Sequence, residues 1–167
     1  MLNSPTMPVI ERFSGVMFKA INYEKLDLAE KENFNSTVIF IDGMFWLLRP
    51  QDYLPEYKLK ITSKYLDIDV TKFWKERLWV EFDILFRDKL VIDILPEAHR
   101  KVLTLPTNVN YVQITFMDFV PTKSDKNKQS EVSSMDKIGG KFKQAGHNSK
   151  ELKGELVRYL VSFEDLE

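Results

Sequence analysis

The chain has 167 residues, 44% of them apolar and 29% charged, with a net charge of −1 and no cysteine. That length favours one domain with a substantial core. The missing cysteines exclude disulfides, thiolate zinc sites and a cysteine nucleophile, and the near-zero charge leaves room only for local polyanion-binding surfaces.

Residues 1–9 hold two prolines and read as an extended lead-in. They lack a basic n-region and an apolar h-region, so no signal peptide is expected. No apolar run approaches the ~20 residues of a membrane helix. A cytoplasmic protein with no membrane partner is therefore expected. Residues 13–23, FSGVMFKAINY, carry β-type residues in loose alternation and predict a strand. Residues 26–36 are polar and predict one helical turn or a loop.

The stretch TVIFIDGMFWLL at 37–48 is apolar on both faces of any strand it forms. Asp42-Gly43 predicts a type I′ turn joining 37–41 to 44–48, because that turn needs positive φ at both central residues. Pro50 ends the ladder. A hairpin without a wet face must be covered by another element, project into a partner, or line a groove. The C-terminal element is the economical cover. The other reading is a protein interface made by Phe40, Met44, Phe45 and Trp46, with Trp46 as anchor.

Residues 57–65, YKLKITSKY, alternate cleanly. Tyr57, Leu59, Ile61, Ser63 and Tyr65 share one face of a predicted strand, and Lys58, Lys60 and Lys64 the other. Residues 69–77 predict a short helix or turn capped by Asp69. Residues 78–95 predict a second hairpin turning at Arg87-Asp88-Lys89, and residues 111–120 a further strand closed by Pro121. Residues 121–153 hold eight lysines against four acids, so 121–148 reads as a basic linker or long loop. One helical turn carrying Val132, Met135 and Ile138 and stopped by Gly139 is compatible with it. The last element, 149–167, fits both a strand and an amphipathic helix behind a capping box, and the helix is favoured.

Consecutive hairpin-linked strands without a βαβ rhythm imply an α+β fold. Its expected form is a dominant antiparallel sheet over residues 1–120, barrel-like or sandwich-like, with the basic linker and a C-terminal helix.

Candidate chemistry is sparse. His99 and His147 lack the spacing of a zinc pair and read as loop histidines. Glu81 and Asp83 share a face if their segment is a strand. With Asp93 they are the only argument for an enzyme, the least favoured reading. The stretch GGKFKQAGHNS at 139–149 fails the Walker spacing, since five residues separate Gly140 from Gly146. No cofactor is expected.

Two functional expectations follow. The first is a non-catalytic binding or assembly protein, joined to a protein partner or to itself through the hairpin. The second is a module for single-stranded DNA or RNA with an OB-like barrel. Its lysines and arginine (Lys58, Lys60, Lys64, Lys72, Lys75 and Arg77) would track phosphates while Trp74 stacks on bases. Lys-, Asn- and Phe-rich usage points to an AT-rich genome, bacterial or viral, or to a mobile element.

Overall fold

A computed structural model describes residues 4–77, 79–103, 105, 108–121, 140–146 and 149–163 of the protein. The apolar stretch at 37–48 does form a hairpin. β2 (Phe40–Asp42) pairs antiparallel with β3 (Trp46–Leu48), in a register that sets Phe40 opposite Leu48 and Asp42 opposite Trp46. The turn is not the expected two-residue one. Gly43, Met44 and Phe45 make a three-residue loop, and the Asp42 carboxylate caps it by accepting from the Met44 N–H at 2.7 Å and the Phe45 N–H at 3.0 Å. Gly43 serves close approach instead of positive φ: a Cβ there would lie 2.6 Å from the Leu59 carbonyl oxygen.

The hairpin has no wet face because it lies between two cores. Phe40 and Leu48 join Val9, Ile10, Ile21, Phe34, Leu54, Val157 and Val161 in the first. Trp46 joins Ile61, Val70, Phe82 and Val102 in the second, with Ile41 and Leu47 packed against it. Strict alternation would put Trp46 on the face of Leu48. Its backbone is left-handed (φ 69°), which breaks the alternation, and its ring stacks on Trp74 at 5.6 Å.

Helices build most of the remainder. β1 (Thr6–Pro8) pairs with β4 (Tyr53–Pro55) and leads into α1 (Val9–Arg12). Residues 16–21, expected within a strand, form α2 (Val16–Ile21), which ends at Asn22 in the left-handed conformation. The helix places Met17 and Ile21 four apart, so both reach the first core. A 3₁₀ turn at Tyr23–Lys25 precedes α3 (Leu28–Thr37). Reciprocal capping-box bonds fix its start: Glu30 N–H to Asp27 at 2.9 Å, and Asp27 N–H to Glu30 at 2.8 Å. One fully buried side chain, Phe34, anchors α3 to the core.

After β4 the chain is irregular to Ser63. It then makes a small ribbon, β5 (Lys64–Tyr65) with β6 (Ile68–Asp69), and enters α4 (Val70–Arg77). The Asp69 carboxylate caps α4 by accepting from the Lys72 N–H at 3.0 Å. The expected hairpin at 78–95 is instead a helix, α5 (Trp79–Phe86), followed by β7 (Leu90–Asp93). A strand would have placed Phe82, Ile84 and Phe86 on one face. The helix stacks Phe82 on Phe86 at 5.4 Å and leaves Ile84 in water.

β7 continues through α6 (Glu97–Arg100) to β8 (Asn110–Gln113), which pairs with it in parallel. The expected strand at 111–120 thus divides. Its second part, β9 (Met117–Pro121), pairs antiparallel with β10 (Gly140–Gln144), a strand where a linker was expected. Residues 122–139 and 147–148, with the expected helical turn and His147, lie outside the described residues. α7 (Ser149–Val161) packs chiefly on α2, with Gly154 against the backbone of Met17 and Ile21, and its Val157 and Val161 enter the first core.

Among the described residues there are five two-stranded ribbons, four antiparallel and one parallel, and none closes into a barrel. The expected dominant sheet is therefore corrected to a mixed α+β fold with small sheets. The strands are two to five residues long, and the two cores are built largely from helix and loop residues together with the β2–β3 hairpin.

Candidate functional site

The lysine strip keeps its polarity without a ladder. Between Tyr57 and Lys64 the inward positions are Leu59 and Ile61, and Lys58, Lys60 and Lys64 stand in water. α4 continues the strip. Its core-facing positions are Val70 and Trp74, one turn apart, which leaves Lys72, Lys75 and Arg77 exposed. Lys72 pairs loosely with Glu76 at 3.8 Å, a surface contact of little energetic weight. Arg77 lies over the Phe73 ring at 4.0 Å and donates to the Phe73 carbonyl.

The aromatics are arranged differently from the sequence expectation. Trp74 is half-buried: its Nε1 donates to the Gly43 carbonyl at 2.8 Å and its ring stacks on Trp46. It ties the strip to the hairpin and is not a free platform. Tyr65, assigned by alternation to the same inner face as Tyr57, is 63% exposed on the β5–β6 ribbon. The ribbon turns tightly at Leu66 (φ 53°) and rotates Tyr65 out of the alternation. Tyr65 is the aromatic that the strip offers to solvent.

The four hairpin residues divide. Phe40 (8% exposed) and Trp46 (3%) are core, Met44 is half-buried, and Phe45 is 40% exposed with its edge against Tyr57. They do not form one apolar surface patch.

Beside the hairpin, a cleft of about 220 Å³ is lined by Asp42, Lys60, Thr62 and His99, among others. His99 Nδ1 is buried and has no hydrogen-bond partner among the described residues. Burial lowers the His99 pKa; Asp42 acts against that and the charge of Lys153 adds to it. The Tyr57 hydroxyl is also buried, and burial, then Asp42, hold its pKa well above the tyrosine range.

Asp93, one of the three carboxylates behind the enzyme reading, is 3% exposed. The structure makes it a lock. It accepts from Arg100 Nε at 2.5 Å, from the Leu95 N–H at 2.6 Å and from the Tyr111 hydroxyl. Burial raises its pKa, but the bonds from Arg100, Tyr111 and Leu95 outweigh this and leave it below its ordinary value. Tyr111 is raised to about 12 by burial and by its bond to Asp93. Glu81 and Asp83 lie on α5, where positions two apart do not share a face, so the argument for a shared site on a strand no longer holds. Among the described residues no group of three His, Cys, Asp or Glu is placed to hold a metal, and no helix is long and apolar enough to cross a membrane.

The described residues thus define a mixed α+β protein of short paired ribbons and helices, with an exposed lysine strip beside the hairpin. Residues 2–164 match the family described as peroxide stress protein YaaA, and the chain belongs to that family. A UPF0246 protein of Rickettsia felis is 22% identical over 163 residues, covering 96% of this chain and 59% of the relative. A UPF0246 protein of Malacoplasma penetrans is 27% identical over 128 residues, covering 74% of this chain and 50% of the relative. One from Francisella philomiragia is 22% identical over 152 residues, covering 89% and 54%. The chain therefore spans between half and three-fifths of the length of these curated relatives. All three are bacterial, which overturns the expected viral or mobile-element origin. The barrel has no counterpart in the ribbons, and the expected oligomer loses its argument with the burial of Phe40 and Trp46.

Proposed function

We propose that the protein is a non-catalytic, cytoplasmic nucleic-acid-binding module that holds single strands mainly by their phosphates. One observation carries this reading. Lys58, Lys60, Lys64, Lys72, Lys75 and Arg77 all stand in water on contiguous chain, and only Lys72 has a carboxylate partner among the described residues. Six exposed cations stand against Asp67, Asp69 and Glu76 on the same stretch, and such an excess of positive charge is what releases counterions from a phosphate backbone. Tyr65 supplies one exposed ring for base stacking, so affinity rests on charge more than on stacking. The family's description as a peroxide stress protein agrees with a chain that engages nucleic acid, a target of peroxide-derived oxidants.

The test is fluorescence anisotropy of a labelled mixed-sequence single-stranded oligonucleotide. Lys58→Ala with Lys60→Ala should weaken binding about tenfold, and Lys72→Ala with Lys75→Ala by a similar factor, with melting temperatures unchanged. Trp74→Ala should lower stability, because it removes a ring from the second core. Affinity indifferent to both lysine pairs would refute the proposal, and preference for duplex over single strand would correct its substrate.

A second reading, contact with a partner protein, keeps Phe45 and adds the β9–β10 ribbon. There Met117, Phe119, Val120 and Phe142 are exposed. Phe45→Ser and Phe142→Ser would weaken partner binding on this reading and leave oligonucleotide affinity untouched.

A further inference from the structure

A second cationic feature lies outside the lysine strip. Arg100 at the end of α6 and Lys153 in the first turns of α7 line one narrow polar notch, together with Thr115, Gln144 and Ser149. Asp93 holds Arg100 by Nε, and the Leu95 carbonyl holds it by Nη2 at 2.9 Å, which leaves Nη1 without a partner among the described residues. Lys153 is half-buried and makes no hydrogen bond or ion pair among them. Burial of its ammonium and the charge of Arg100 both disfavour the charged form, and Asp93 relieves this only in part. Among the described residues the site carries two cations against one carboxylate. The α7 N-terminus adds a partial positive charge on the same side. An uncompensated half-buried ammonium beside a guanidinium costs free energy that a bound anion would recover.

We propose that the Arg100–Lys153 notch is a seat for a phosphoryl oxyanion. Its volume of about 20 Å³ suits one anion oxygen, with the rest of the group facing solvent. Arg100 Nη1 and Lys153 Nζ donate to that oxygen and to its neighbour, and Asp93 keeps the guanidinium in place. Arg100 follows His99 directly, and His99 shares the 220 Å³ cleft with Lys60. The seat is carried by residues outside the strip and stands independently of the strip's own binding. The phosphoryl group is that of free phosphate or of a phosphodiester, and one experiment separates the two.

The probe is inorganic phosphate, added at constant ionic strength against chloride and read by thermal unfolding and by ³¹P line broadening. The wild-type protein is expected to gain melting temperature with phosphate beyond any gain in Lys153→Gln, whose apparent phosphate affinity should fall about tenfold or more. Lys153→Arg should restore the response. In chloride alone Lys153→Gln should unfold no lower than the wild type, since it removes a like-charge repulsion. An equal phosphate response in wild type and Lys153→Gln, or none in the wild type, would overturn the proposal. Displacement of phosphate by a single-stranded oligonucleotide assigns the seat to phosphodiesters, and retention assigns it to free phosphate. Lys58→Ala with Lys60→Ala should leave the phosphate response intact, so the strip and the notch can fail separately.

Discussion

Replacing Gly154 by alanine should cost about 3 kcal/mol and lower the melting temperature by about 10 °C, at the upper end of what overpacking costs. An added Cβ would lie 2.3 Å from the Met17 carbonyl oxygen, 2.7 Å from Ala20 Cβ and 3.1 Å from the Ile21 amide nitrogen. Two of these three are backbone atoms of α2, and no rotamer change moves them. The helices must separate, and the first core loses contact with Val157 and Val161. Gly146 is the control: a Cβ there meets nothing within 4 Å, so Gly146→Ala should be nearly neutral. Equal melting temperatures for the two variants would mean that α7 does not pack on α2 as described.

Asp93→Ala should cost about 3 kcal/mol, the lower end for one partner removed from a buried pair, because Arg100 keeps some access to water. The change leaves the Leu95 N–H and the Tyr111 hydroxyl without their acceptor as well. The pH dependence has a definite sign. The carboxyl of folded Asp93 lies below its ordinary value of 3.8, so its stabilisation is present above the unfolded pKa. It is lost as pH falls through the folded value. Denaturant titrations at successive pH values should show the gap between wild type and Asp93→Ala constant above pH ~5 and closing below pH ~4. A gap independent of pH would mean that the charge of Asp93 contributes nothing.

The elements legible in the sequence carried their own local chemistry. Asp69 announced the start of α4, Asp42-Gly43 announced a chain reversal, and Lys58, Lys60 and Lys64 announced an outward face. The reversal was legible but its geometry was not. Asp42 starts the turn with its side chain, and Gly43 is required by the neighbouring backbone at 59–61, which no short-range signal encodes. The capping box Asp27–Glu30 stands in the sequence, yet 26–36 reads only as one helical turn or a loop, because Phe34 is the one buried side chain of α3. The strands expected at 13–23 and 78–86 became helices for one shared reason. Short runs of Val, Phe and Ile fit both periods, and the choice was made by packing, against Gly154 for α2 and around Trp46 and Val70 for α5.

The candidate site divides along the same line. The lysine strip was legible because it is contiguous in sequence. The packing of Trp74 was not legible, because its partners, Gly43 and Trp46, lie about thirty residues away. The Asp93–Arg100–Tyr111 lock and the notch shared by Arg100 and Lys153 join residues from β7, α6, β8 and α7. Nothing in the spacing of one chain brings those four elements together.

If the exposed lysines bind a phosphate backbone, oligonucleotide binding by the unaltered protein must depend steeply on salt. The logarithm of affinity for a single strand should fall linearly with the logarithm of salt concentration. If four to six of the strip's cations engage, the slope should be about −3 to −4. No binding at low salt, or binding indifferent to salt, would contradict the account and leave the exposed β9–β10 ribbon as the surface to pursue.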